Sequence, residues 1–187
     1  MRFVERRKNM EQRYKEIVWD AFRRTNSRAG HILFMRTFRM GAMRGLNPEE
    51  QKQFIDTLND MINLGLISYE SGDGGMDLLR LTEKGYEELY DCRSDAEIAK
   101  LLLNEFKKRN YKVGEIIPMR NFNFNFIPRL NPKEQDRFVE VANTLIANVF
   151  ISYEDGKHKS IEGLVLQKAG YEYINGVNTT YLKDLFH

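Results

Sequence analysis

The sequence predicts an α+β, mainly helical protein built as two tandem copies of one domain, and three observations predict it. The first is an internal repeat. GHILFMRTF (residues 30–38) aligns with GEIIPMRNF (residues 114–122), LNPEEQKQF from Leu46 with LNPKEQDRF from Leu130, and LISYE with FISYE, all at a shift of 84. Residues 22–70 and 106–154 share 19 identities in 49 positions. The second is a pair of strong helix starts, Asn47-Pro48-Glu49-Glu50 and Asn131-Pro132-Lys133-Glu134. In each, Asn caps, Pro loses no needed N–H at the first helical position, and Glu closes a capping box. The third is a glycine-rich segment, residues 71–75, between two short β-like runs, which reads as a hairpin with positive-φ residues at its tip.

Each element has its own signal. Tyr14, Ile17, Val18, Ala21 and Phe22 follow the spacing of a helix with one apolar face, and Ile98, Leu101, Leu102 and Phe106 repeat it. A glycine and a short β-like run follow, Ile32-Leu33-Phe34 or Ile116-Ile117. A Met/Phe/Arg segment then leads to the capped helix, whose apolar face is Phe54, Leu58, Met61 and Ile62 and which ends near Leu64-Gly65. Residues 66–70 and 78–82 flank the hairpin tip, and residues 83–90 return to helix. Past the hairpin the repeat shift becomes 85, so the loop of the second copy is one residue longer: LTEKGYE from Leu81 meets LQKAGYE from Leu166. Asn121-Phe122-Asn123-Phe124-Asn125-Phe126 alternates with the period of a strand, yet stands where the other copy calls for a helix. On a helix, Phe122 and Phe126 share the core face and Phe124 points away. Phe124 then serves a partner or an interface, or is a third core contact in an irregular segment.

A repeat this long is a duplicated domain rather than a solenoid unit, whose period is about 20–50 residues. The seam lies near Arg93, where Ser94-Asp95-Ala96-Glu97 forms a second kind of capping box and almost no linker remains. The domains are therefore residues 1–92 and 93–187, and the short connection predicts a fairly rigid pair. The order helix, short strand, helix, helix, hairpin, helix, with NLGLISYE (residues 63–70) and LRLTEKGYEEL (residues 79–89) at its end, resembles the winged-helix family of bacterial transcriptional regulators. The resemblance covers nearly all of both copies. It implies tandem winged-helix domains, each a three-helix core with a β-hairpin wing and a closing helix. It also implies double-stranded DNA as partner, with residues 48–64 lying in the major groove and the hairpin touching the backbone or minor groove. The two copies would form a pseudo-dimer.

Charge divides along the chain. The total is +2, but residues 1–44 hold 12 Lys/Arg against 4 Asp/Glu, and residues 45–92 hold 3 against 11. The second copy runs the same way more weakly, 8 against 4 over residues 93–132 and 6 against 8 thereafter. Phosphate neutralisation dominates duplex affinity, so the acidic helix of the first copy is a poor conventional reader. The DNA-binding expectation rests on Arg36, Arg120, Arg129 and the second wing, Lys157, His158 and Lys159, as phosphate anchors, Lys133 and Arg137 on one helix face for base contacts, and the basic region of Arg36, Arg39 and Arg44 as a further candidate. Arg36 and its repeat Arg120 have a competing reading, pairing with carboxylates of their own copy. The basic start, Arg2, Arg6, Arg7, Lys8 and Arg13, reads as a solvated helix end or tail before an arm to DNA. The alternative function is a protein-interaction module on the same scaffold, for which the acidic helix suits a basic partner.

The sequence carries no catalytic constellation. Its three histidines are scattered, and it has no HExxH, CxxC or phosphate-cradling glycine loop. The single cysteine, Cys92, cannot form an internal disulfide and leaves only a thiol switch as a reactive reading. No enzyme activity, cofactor or metal is expected. The start lacks an apolar stretch of signal-peptide length and no run reaches the roughly 18 apolar residues of a membrane span. The expectation is a cytoplasmic protein without a membrane partner.

Overall fold

The computed structural model describes residues 2–72, 77–156, 161–177 and 182–186, the side chains of residues 2–8 and 183 excepted. It is an α+β structure, mainly helical, with two small antiparallel sheets. The chain divides into two compact units, Met1–Asp91 and Cys92–His187.

In the first unit, α1 (Arg2–Arg24) buries Tyr14, Val18 and Phe22 on one stripe. It stops where Asn26 turns to φ 46° and Ser27 N–H donates back to Phe22 C=O at 3.1 Å. After β1 (Ile32–Phe34) comes α2 (Met35–Met40), which buries Met35 and Phe38 and exposes Arg36, Arg39 and Met40. The next helix, α3 (Pro48–Asn63), has the expected cap: Asn47 Oδ1 accepts from Glu50 N–H at 2.9 Å and Glu50 Oε2 accepts from Asn47 N–H at 2.9 Å. Tyr14 meets Phe54 edge-on at 5.6 Å between ring centroids, and Phe38 lies 5.9 Å from Phe54, so one aromatic ring joins three helices. The hairpin β2 (Ile67–Ser71) and β3 (Asp77–Leu81) adds β1 on its far side, in the order β1-β3-β2. The closing helix α4 (Glu83–Leu89) is capped by Thr82, whose hydroxyl accepts from Gly85 N–H.

The second unit repeats this order. It contains α5 (Asp95–Lys108), β4 (Ile116–Pro118), α6 (Met119–Asn125), α7 (Pro132–Ala147), β5 (Ile151–Asp155), β6 (Glu162–Leu166) and α8 (Lys168–Ile174). Its sheet order, β4-β6-β5, is the same, and so is the strand register: Ile67 faces Leu81, and Ile151 faces Leu166. Ser71 pairs with Asp77 but Asp155 with Glu162, which places the extra residue of the second copy in the hairpin loop. The alternating Asn/Phe segment is helical. Phe122 and Phe126 are 1% and 3% exposed and Phe124 is 70% exposed, because residues four apart share a helix face. Phe122, Phe126 and Phe138 form a chain of rings at 5.9 and 5.6 Å. Beyond α8, Leu182 is buried against the same core and Leu185 and Phe186 pack on it.

Candidate functional site

Two faces of α3 stay open. Its outward face carries Glu49, Lys52, Asp56, Asn59 and Asp60, all exposed, three carboxylates against one lysine. Beside it, Ile55, Leu58, Asn59 and Ile62 form a stripe at helical spacing that faces the hairpin across an open cleft of about 740 Å³. Met35, Leu58, Ile67 and Leu79 make its apolar lining, and Arg39, Tyr69 and Asp77 also line it. The cleft exists because the inward face of the hairpin extends past the helix. Ile67 and Leu79 are covered, whereas Tyr69, two residues on, is 48% exposed. Tyr69 Oη donates to Asp77 Oδ1 at 2.7 Å and Arg39 Nη2 donates to Asp77 Oδ2 at 2.7 Å. The Tyr69 hydroxyl, then Arg39, hold the Asp77 carboxyl below its usual range against the opposing effect of burial, and the same bond raises the Tyr69 phenol.

The second unit keeps these features. Val139, at the position of Ile55, is 64% exposed, Tyr153 is 49% exposed, and Tyr153 Oη donates to Glu162 Oε1 at 2.6 Å. That bond raises the Tyr153 phenol as well. The outward face of α7 carries Asp136, Val139, Glu140 and Asn143. One side chain beside the hairpin differs between the copies. Thr82 turns its hydroxyl to the carbonyls of Gly65 and Leu66, whereas Gln167 in its place donates to Ser152 Oγ at 2.8 Å. Of these cleft residues the sequence singled out Arg39, as a DNA contact, and not the aliphatic ones. The available signal was the recurrence of an aliphatic residue, Ile55 or Val139, just off the core stripe.

The ten cations expected to meet DNA are placed very differently from one another. Arg39 is held by Asp77. Arg129 is held by Glu105, Nη2 to Oε2 at 3.0 Å, and lies 5.7 Å from the Phe126 ring centroid. Arg137 turns away from the outward face of α7: it donates to Cys92 Sγ at 2.8 Å and Arg93 C=O at 3.1 Å, and pairs with Asp95. Lys133, one turn earlier, is half-buried. Arg36, Arg44 and Arg120 are exposed and, among the described residues, have no carboxylate partner. Arg36 Nε instead points to Met40 Sδ at 3.3 Å, and the Arg120 guanidinium lies 5.8 Å from the Phe124 ring centroid. Lys157, His158 and Lys159 lie outside the described residues, as does Asp73 at the tip of the first hairpin. Cys92 is exposed and accepts from Arg137.

No group of three or more His, Cys, Asp or Glu among the described residues is placed to hold a metal ion. No helix among them is long and apolar enough to cross a membrane. Compared with protein-family models, curated proteins and solved structures, the chain matches none.

Proposed function

We propose that the chain is a tandem winged-helix protein whose helix-turn-helix faces bind another protein rather than read duplex DNA. The observation that carries this reading is the surface of α3: an acidic outward face adjoining an open apolar cleft, with the exposed Ile55 between them. An element that enters the major groove works against phosphate charge and needs basic or neutral residues. An apolar cleft with a few placed polar groups and a charged rim is instead what a protein partner covers. Three of the cations expected to contact DNA, Arg39, Arg129 and Arg137, are committed to carboxylates of their own unit.

Sequence-independent DNA contact is the second reading. It is favoured by Arg36, Arg44 and Arg120, which face solvent without a carboxylate partner among the described residues.

Anisotropy of a labelled duplex at about 50 mM salt separates the two, because non-specific DNA binding is electrostatic and strongest there. The protein-binding reading expects no saturable duplex binding, and binding with a steep salt slope overturns it. A photo-crosslinking residue at Ile55 supplies the positive arm. It should capture protein rather than nucleic acid, and Leu58→Asp, which charges the cleft floor, should abolish capture if it leaves the thermal transition in place. Capture of nucleic acid overturns the reading.

A further inference from the structure

The second helix of each unit leaves a large apolar side chain in solvent at the same place. At the 84-residue shift Met40 stands against Phe124, and they are 63% and 70% exposed. Four residues earlier, on the same helix face, both copies have an arginine. Arg36 Nε donates to Met40 Sδ at 3.3 Å, and the Arg120 guanidinium lies 5.8 Å from the Phe124 ring centroid. Among the described residues neither arginine meets a carboxylate, whereas Arg39, Arg129 and Arg137 all do.

The core does not account for this pair. α2 is buried through Met35 and Phe38 and α6 through Phe122, and the pair lies outside both sets. Neighbouring positions change between the copies: Thr37 stands against Asn121 and Arg39 against Asn123. The arginine and the exposed apolar side chain are what the two surfaces have in common. Both lie in stretches without negative charge. Residues 21–48 hold six arginines and no Asp or Glu, and residues 116–133 hold three cations and none. A complementary partner therefore brings the carboxylates. Arg, Met and Phe are side chains that protein interfaces concentrate. A nucleic-acid strand would need a flat π face under each stacked base, and Met40 offers none.

We infer that the exposed faces of α2 and α6 are two equivalent docking points for acidic segments of a protein partner that also carry an apolar side chain. At each point a partner carboxylate accepts from the arginine, and the apolar side chain beside it covers Met40 or Phe124. A guanidinium offers a carboxylate two parallel N–H···O bonds along its edge while its flat face stays on the apolar group. One chain thus takes two such segments. Neither Arg36 nor Met40 lines the cleft beside α3, and the charge is of opposite sign, so this surface is independent of the protein-binding reading above.

The test is an NMR titration of the isotope-labelled full chain with the capped peptide Ser-Glu-Phe-Glu-Ser, beside versions with glutamine for glutamate and with serine for phenylalanine. Saturable shifts at Arg36, Met40, Arg120 and Phe124, with two peptides bound per chain, are expected with the acidic peptide and none with the altered ones. Arg120→Gln should weaken binding at α6 about fivefold, as for an exposed charge pair. Phe124→Ser should abolish it there, and in both variants the shifts at Arg36 and Met40 should persist. Arg36→Gln, read at Met40, repeats the test in the other unit. Equal shifts with the glutamine peptide, shifts that survive these variants, or shifts mapping elsewhere overturn the inference. So do the same shifts with oligothymidylate, which would mark base stacking, or on raising the chain's own concentration, which would mark a second copy as the occupant. Crosslinking at Ile55 reports on α3 alone, so either result stands when the other fails.

Discussion

Glu105 is 8% exposed and is held by two cations, Lys108 at 2.7 Å and Arg129 at 3.0 Å. Burial alone would raise its pKa, but the hydrogen bonds from Lys108 and Arg129 outweigh burial and leave it below the ordinary glutamate value. A carboxyl depressed in the folded state contributes stability that is present above its unfolded pKa and lost as pH falls through the folded one. Glu105→Gln should therefore cost about 1–2 kcal/mol at neutral pH and flatten the loss of stability below the glutamate range. Denaturant titrations from neutral to acid pH check this, and an unchanged acid slope refutes it. A second residue-scale effect is backbone strain. Val149 sits at φ 60° where the first copy has Gly65 at φ 72°, and no atom lies within 4 Å of a Cβ built on Gly65. A β-branched residue there is strained by about 1–2 kcal/mol. Val149→Gly should recover up to about 1 kcal/mol and Gly65→Val should lose a similar amount, read from denaturation midpoints.

At the scale of elements, the hairpin and the closing helix are locked by a close backbone approach. A Cβ on Gly85 would lie 1.9 Å from the Leu66 carbonyl oxygen, and one on Gly170 would lie 2.3 Å from that of Phe150. These contacts explain the shared Gly-Tyr-Glu motif: glycine is needed there for space. Gly85→Ala must push α4 off the start of β2, and should cost about 3 kcal/mol, as overpacking of a tight core does. The same change at Gly176, which ends α8 at φ 78° with nothing within 4 Å, meets only strain and serves as the milder comparison in thermal melts. The capping boxes act at this scale too. In α7 the box residue Glu134 is 0% exposed, and beyond its cap it accepts from Arg93, Nε to Oε1 at 2.7 Å. Its counterpart Glu50 is only partly buried and does the capping without that second task.

For the whole molecule, each unit has its own sheet and its own buried cluster, Tyr14 to Tyr90 in one and Ile98 to Leu182 in the other. Domains of this size are marginal but able to fold alone. The fragments Met1–Asp91 and Cys92–His187 should each give a cooperative thermal transition by circular dichroism, and a fragment that melts without one contradicts the expectation. The separation of charge also belongs to this scale. In the first unit the basic half contributes α1 and α2, and the acidic half contributes α3 and the hairpin. A near-neutral sum therefore covers a polar unit whose acidic helix is exposed.

The sequence by itself determined the element order, the repeat and its one-residue offset, and the caps of α3, α5 and α7. These follow from local periodicity and from backbone groups that need partners nearby in the chain. It also decided that Phe124 leaves the core, once the segment is helical. Only the tertiary structure decided which cations are free. Arg39, Arg129 and Arg137 meet carboxylates 38, 24 and 42 residues away in the chain, and no local pattern encodes such pairings. It likewise decided that the inward face of the hairpin outruns α3 and leaves a cleft, and that the buried Tyr14 hydroxyl has no hydrogen-bond partner among the described residues. Both depend on how far one packed element extends past another, a distance that spacing along the chain does not carry.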